Sequence, residues 1–258
     1  MNHILDFLNS HGSVRAFTDT PITEAQELEI VTTAQRSPTS SNVQAYSIIS
    51  VRNEQTKFRL SELTGGQQHV ADCPLFFVFC ADLFRLGRLN KRRGYNFTGD
   101  YTEMFVIATV DTALAACRAL LAAQAMGLGG VMVGGIRNEP DEVASLLDLP
   151  ELVYPVMGMS LGEPVKPPKV KPRLPSPALH FKERYDVGQI DAAVEEYDRI
   201  IAELGYLNGR EVERDKYPSF ADLYSWSEHT ARRMASTNPG TLRPHMLEFL
   251  QKRGFLKR

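Results

Sequence analysis

Apolar positions recur along the chain at two periods, and these divide it into elements. Ile4, Leu5, Phe7 and Leu8 predict a short helix over residues 2–9. Pro21-Ile22-Thr23-Glu24 opens a second helix with Thr23 as its N-cap, and Leu28, Val31 and Ala34 continue it at helical spacing. The polar run Pro38-Thr39-Ser40-Ser41-Asn42 reads as a loop. Residues 46–51 read as a strand and 54–63 as a helix. Residues 75–81 are continuously apolar, as expected of a strand covered on both faces. Residues 83–99 read as an irregular, basic stretch. A long apolar helix follows over 101–126, then a strand at 130–134, a helix at 140–147 and a strand at 153–161. Further helices are expected at 189–204, 219–236 and 241–252. No internal repeat is present.

The helix over 101–126 is long enough to cross a bilayer. Asp111 and Arg118 lie inside it, where lipid would penalise them, and its flanks lack basic loops. A buried central helix is therefore expected. Beyond it, the segment 162–177 holds six of the fifteen prolines, which makes a stiff, extended arm. These patterns place an α+β core at 1–162, a Pro-rich arm at 163–188 and a helical extension at 189–258, within one structural domain. The order of elements lacks the regular spacing of a doubly wound sheet.

Composition changes this picture little. The 258 residues are 43% hydrophobic and 23% charged, with a formal net charge of −2. Neither nucleic acid nor a membrane surface is called for as a partner. Cys73, Cys80 and Cys117 are too few and too scattered for a disulfide framework or a metal site, which fits a reducing cytoplasm. The first residues lack the charged and apolar regions of a secretory signal.

The chemistry-bearing groups are dispersed. His11, Ser13 and Arg15 alternate in an extended segment and so share one face. An imidazole, a hydroxyl and a guanidinium together suit a phosphate, although a solvated turn would use the same residues. Lys171 and Arg173 alternate in the same way in Lys171-Pro172-Arg173-Leu174-Pro175, where prolines fix the backbone; a basic linker is the alternative. The run Gly127-Leu128-Gly129-Gly130-Val131-Met132-Val133-Gly134-Gly135 departs from a dinucleotide fingerprint, because it follows a helix and precedes a strand. Gly127 to Gly130 read as a tight turn. Gly134-Gly135, at a strand end, serve either a turn or the close approach of a flat ligand. Thr39, Ser40, Ser41 and Gln44 offer hydroxyls and an amide on a loop. The Gln67 amide, which donates and accepts, matches the edge of a pyrimidine-like ring. No nucleophile or metal motif is present, which points to a cofactor that carries its own chemistry.

Taken together, His11-x-Ser13-Val14-Arg15-x-Phe17-Thr18, Gln44, Thr64-Gly65-Gly66-Gln67, Phe79-Cys80-Ala81-Asp82, Val133-Gly134-Gly135-Ile136-Arg137-Asn138 and Lys171-Pro172-Arg173-Leu174-Pro175 resemble the nitroreductase superfamily. Within it they are most similar to the oxygen-insensitive NADPH nitroreductases and NADPH–flavin oxidoreductases. The resemblance runs in register from about residue 3 to the C-terminus. It implies a three-layer α+β homodimer, with a central mixed sheet packed by a long hydrophobic helix, a C-terminal helical extension and active sites at the dimer interface. It further implies FMN as cofactor and NADPH or NADH as electron donor, with nitroaromatics, quinones or free flavin as acceptors in a ping-pong cycle. His11, Ser13, Arg15, Lys171 and Arg173 would hold the FMN phosphate and ribityl end. Thr39, Ser40 and Ser41 would line the flavin site, Gln67 would meet its pyrimidine edge, and Met132, Val133, Gly134 and Gly135 would pass the ring. No side chain is needed as a catalytic acid. A flavin-binding sensor or carrier without turnover is the alternative reading, and a non-redox interaction protein a more distant one.

Three departures stand out. Gly12 replaces a usual Arg, and Arg36-Ser37-Pro38 is an unusual approach to the hydroxyl loop. The basic stretch before Trp226-Ser227, which would bind the NADPH 2′-phosphate, is moved upstream and interleaved with acids. Arg210 and Arg214 are the candidates there.

Overall fold

A computed structural model describes residues 3–213, 215–216 and 224–258. It divides into two compact units. The first takes the chain up to Lys169 together with Arg243–Arg258, and the second is Val170–Leu242.

In the first unit, helix α1 (His3–Asn9) precedes α2 (Glu24–Ala34). Thr23 caps α2 as expected: its hydroxyl accepts from Gln26 N–H at 3.2 Å, and Gln26 Oε1 accepts from Thr23 N–H at 2.9 Å. Strand β1 (Tyr46–Val51), helices α3 (Glu54–Leu63) and α4 (Gln68–Asp72), and strand β2 (Leu75–Asp82) follow. Then come α5 (Phe84–Arg93), α6 (Thr102–Ala125), β3 (Gly129–Val133), α7 (Pro140–Leu146) and β4 (Val153–Gly162).

The strands form one sheet in the order β1-β2-β4-β3, with every neighbouring pair antiparallel. The α+β class holds, but the sheet is antiparallel rather than mixed. The reason lies in the connections. A long helical crossover joins β2 to β3, which run the same way, and β4 then inserts between them. All eight residues of β2 are buried. Phe77 and Phe79 point to one side, where Ala116, Ala119 and Ala123 of α6 and Ile30 and Ala34 of α2 cover them. Phe76, Val78 and Cys80 point to the other, against residues of α3, α4 and α7. Helices thus lie on both faces of the sheet, giving three layers. The alanines of α6 let a helix lie close against a sheet face rich in aromatic side chains. The same helix leaves Val106, Val110 and Leu114 exposed at 45%, 49% and 39%.

Two local expectations give way. Residues 84–93 are helical rather than irregular. The 3.6-residue period is carried there by exposed cations (Arg85, Arg88, Lys91, Arg92) instead of by apolar residues, and Gly94 closes the helix at φ 76°. The expected helix over 241–252 is two, α10 (Pro239–Leu242) and α11 (Met246–Lys252), preceded in the chain by α8 (Ile190–Glu203) and α9 (Trp226–Ala235). The break is at Arg243, left-handed at φ 48° and followed by Pro244, which disfavours helix before it. Part of the expected helix 219–236 lies outside the described residues; the rest is α9, capped by Ser225. The chain's last residues return to the sheet: Phe255 is fully buried, and Thr102 N–H donates to Arg258 O at 2.9 Å.

In the second unit, Tyr197 and Ile201 of α8 pack with Leu207, Leu174, Tyr206 and Trp226. Ser227 N–H donates to Asp198 at 2.8 Å, tying α9 to α8.

Candidate functional site

The segment 11–18 is extended and lies along the edge of the sheet. Val14 N–H donates to Gly130 O, Val165 N–H to Ala16 O, and Thr18 N–H to Glu163 O, at 2.9–3.1 Å. Gly12 and Val14 are buried while His11, Ser13 and Arg15 stand on the more open side, so the alternation read from sequence is present in the fold. Val14 needs room: a Cβ on Gly129 would fall 2.6 Å from its Cγ2. His11 Nδ1 lies 3.0 Å from the side-chain amide of Gln124, near the C-terminal end of α6.

Gly12 has a structural reason. A Cβ there would sit 2.6 Å from Lys169 O and 2.8 Å from Pro168 Cβ. The backbone after β4 crosses directly over residue 12, so a longer residue has no space. Gly12→Ala should cost about 1–2 kcal/mol through this overlap. Thermal unfolding would read it as a lowered midpoint, and an unchanged midpoint would show that the crossing yields freely.

A second feature forms where β3 ends. Gly134 and Gly135 start a 3-10 turn, and neither has a positive φ. At Gly135 the lack of a side chain serves close approach: a Cβ there would lie 2.5 Å from both Thr64 O and Gln67 Nε2. Val133 is buried in the core, so it offers a ligand only its backbone, while Met132 is half-buried. Gln67 N-caps α4 and donates from Nε2 to Thr64 O at 2.8 Å, which leaves its Oε1 to accept. The next residue but one, His69, is buried with Nδ1 3.0 Å from Ser160 Oγ. Burial, and then the charge of Arg15, lower its pKa from 6.5. Arg15 is therefore within electrostatic reach of the helix that Gln67 caps. Gln67 and Gly135 meet directly, and Arg15 acts on His69, two residues beyond Gln67, through its charge. His69 and Gln124 were not singled out from sequence, since a lone His or Gln carries no motif.

Thr39, Ser40 and Ser41 do not join them. Ser40 N–H donates to Asp111 Oδ1 at 3.0 Å and Ser37 Oγ to Leu114 O at 3.2 Å, both near the middle of α6. His11 meets Gln124 near its C-terminal end. The helical rise puts Asp111 and Gln124 about 20 Å apart. The loop borders a cavity of about 330 Å³ lined by Pro38, Thr39, Ser40, Val106, Val110 and Leu114, among others. Its backbone is strained: Ser41, Asn42 and Gln44 are left-handed at φ 46°, 57° and 53°. Each such residue costs roughly 1 kcal/mol, and such strain persists only where surroundings impose it.

In the second unit, Lys171 Nζ donates to Tyr206 Oη at 2.7 Å, and Arg210 lies 4.8 Å from the centre of the same ring. The Lys171 hydrogen bond, followed by the charges of Lys171 and Arg210, lowers the Tyr206 pKa. Two cations expected at different ligand groups thus share one tyrosine. Arg173 is exposed, and its Nη1 donates to Pro172 O at 3.5 Å. Arg214 lies outside the described residues.

Residues 8–163 match the model of the nitroreductase family, and residues 171–258 that of the nitroreductase family C-terminal domain. The chain belongs to the nitroreductase family. Among its relatives in that family is the oxygen-insensitive NADPH nitroreductase of Salmonella typhimurium, 36% identical over 258 residues and covering all of both chains. The FMN reductase (NADPH) of Bacillus subtilis is 40% identical over 207 residues, 79% of this chain and 83% of that one. The solved NADPH:FMN oxidoreductase of Vibrio harveyi, in complex with NAD+, superposes with a TM-score of 0.84 at 32% identity, covering all of both chains. Two nitroreductase-family models thus meet across 164–170, the stretch that crosses Gly12.

Proposed function

We propose that this chain is an FMN-dependent NAD(P)H oxidoreductase that passes electrons to nitroaromatics, quinones or free flavin, and that it works as a cytoplasmic homodimer. The observation that carries this reading is the Gly134-Gly135 turn seated against Thr64 and Gln67 in a chain of the nitroreductase family.

The residues fit FMN. Arg15 supplies paired donors and charge for a phosphate, with Ser13 and His11 on the same face. Glycine at 135 lets the turn after β3 pack directly on Thr64 and Gln67, and Gly134 beside it leaves its backbone uncovered by a side chain of its own. Gln67 holds an acceptor free for a ring N–H. Lys171 and Arg173 are assigned to the phosphate and ribityl end, Met132 to Gly135 to the ring, and Arg210 (with Arg214) to the 2′-phosphate of NADPH. When bound, FMN supplies the acceptance of hydride from NAD(P)H and its delivery to the acceptor. The protein's part is to bind, orient and set the field around it.

Thr39, Ser40 and Ser41 are assigned to the site of a second copy. Their contact with α6 at Asp111, about 20 Å along the helix from the Gln124 that meets His11, supports this. So does the exposed apolar line Val106, Val110 and Leu114 beside them, which a second copy would cover. The three cysteines are unpaired, which fits the cytoplasm.

Steady-state kinetics on the purified protein test the reading, with NADPH against NADH as donor and nitrofurazone, a quinone and free FMN as acceptors. A yellow protein with parallel-line, ping-pong kinetics is expected. A protein that binds no FMN overturns it, and one that binds FMN without oxidising either donor is a sensor or carrier instead.

A further inference from the structure

We infer that Asp111 and Arg85 are positioning residues that clamp the strained loop 39–44 from two sides, and so set the flavin pocket that the loop lines. This deepens the FMN reading and rests on it.

Asp111 is a carboxylate on the most apolar helix of the chain, 1% exposed. It has no ion-pair partner among the described residues. Its two oxygens instead accept from Ser40 N–H at 3.0 Å and from Ala45 N–H at 3.1 Å, one at each end of the loop. A buried carboxylate is costly unless both oxygens are satisfied. Core packing alone would favour an alanine, as at Ala108, Ala115, Ala116 and Ala119 of the same helix. What the carboxylate adds is the fixed span between two backbone amides.

Arg85 works from the opposite side. Its Nη2 donates to Gln44 O at 2.6 Å and to Tyr46 O at 3.0 Å. Asp82, whose Oδ2 is 3.7 Å from Arg85 Nη1, aims it. Asp82 also accepts from Ser47 Oγ, and its N–H donates to Ala45 O at 2.9 Å, so the far end of the loop is tied to β2.

Between these ties lie Ser41, Asn42 and Gln44, all left-handed and all exposed. Local support is slight: Asn tolerates that conformation, Gln44 Nε2 donates to Asn42 O at 3.3 Å, and Val43 N–H donates to Ser40 O at 2.9 Å, all on an exposed loop. The two charged residues therefore supply what the local sequence does not. Their product is a rigid rim that presents Ser40, Ser41, Asn42 and Gln44 outward. A rim held rigid before binding loses less entropy when a ligand arrives.

The test uses Asp111→Asn and Arg85→Met in the full chain. Asparagine keeps the volume but turns one acceptor into a donor facing a backbone N–H. Arg85 is half exposed, so its removal spares the fold even where Asp111→Asn does not. We expect FMN to dissociate about tenfold more readily from Asp111→Asn and about threefold more readily from Arg85→Met, with the turnover number at saturating FMN largely kept. Hydrogen exchange at Ser40 and Ala45 N–H should quicken in Asp111→Asn, while amides elsewhere in α6 stay protected. A merely structural role would lower the unfolding midpoint without this local opening. The inference is overturned if both variants bind FMN as tightly as the wild type, or if the two amides exchange unchanged. A wild-type protein that takes up no FMN defeats the functional reading, and the exchange measurement then still reports whether the clamp holds the loop.

Discussion

Co-expression of an Arg15→Ala chain with a chain carrying Thr39→Val, Ser40→Ala and Ser41→Gly should restore about a quarter of wild-type turnover, although neither chain alone is active at limiting FMN. On the proposed homodimer, each site takes its phosphate face from one protomer and its hydroxyl loop from the other. Each homodimer of a variant carries two sites with the same defect. In a mixed dimer, both defects fall on one site and the other site is intact. Half of the dimers are mixed and half of their sites work, which sets the expected level. If the mixture shows only the average of the two inactive proteins, both halves of a site come from one chain. One chain would then have to span the roughly 20 Å along α6 between the loop's contact at Asp111 and the His11 contact at Gln124.

The second large effect is expected at Gly135. Alanine there meets Thr64 O at 2.5 Å, a backbone atom that cannot rotate away, as well as Gln67 Nε2. The overlap should cost about 2 kcal/mol and lower the thermal midpoint by roughly 5 °C. It should also displace Gln67 and give a protein that loses FMN on purification. Gly134→Ala is the comparison: its Cβ would be 3.5 Å from Arg137 Nη2, an ordinary contact, so its stability should stay within about 0.5 kcal/mol of wild type. Equal midpoints for the two variants would show that the turn after β3 adapts, and that the glycine pair is not a close-approach device.

How much of this was legible beforehand depended on the physical signal each element carries. The apolar run 75–81 and the apolar helix 101–126 announced the sheet and its packing helix. The capping box at Thr23 announced the start of α2. The order of strands was not readable, because β4 enters between β2 and β3 from the far end of the core. Helix α5 writes its period in cations rather than in an apolar stripe, so residues 83–99 read as irregular in the sequence. At the site, the alternation of His11, Ser13 and Arg15 was visible in the sequence, and it holds in the fold. Gly12 looked like a loss within the motif, yet it is where the chain crosses itself at Lys169. In the sequence Asp111 reads only as a charge that argues against a membrane span. Its work on Ser40 and Ala45 joins residues 66 to 71 positions apart, which no local pattern encodes.

The placement of Asp111 and Gln124 on one helix makes α6 a gauge as well as a packing element. Inserting a single residue between them would turn one end of the 24-residue helix against the other by about 100°. The hydroxyl loop and the His11 face could not then both keep their bearings, even if the alanine face found a new register on the sheet. The number of residues between Asp111 and Gln124 is thus as much a part of the site as the residues themselves.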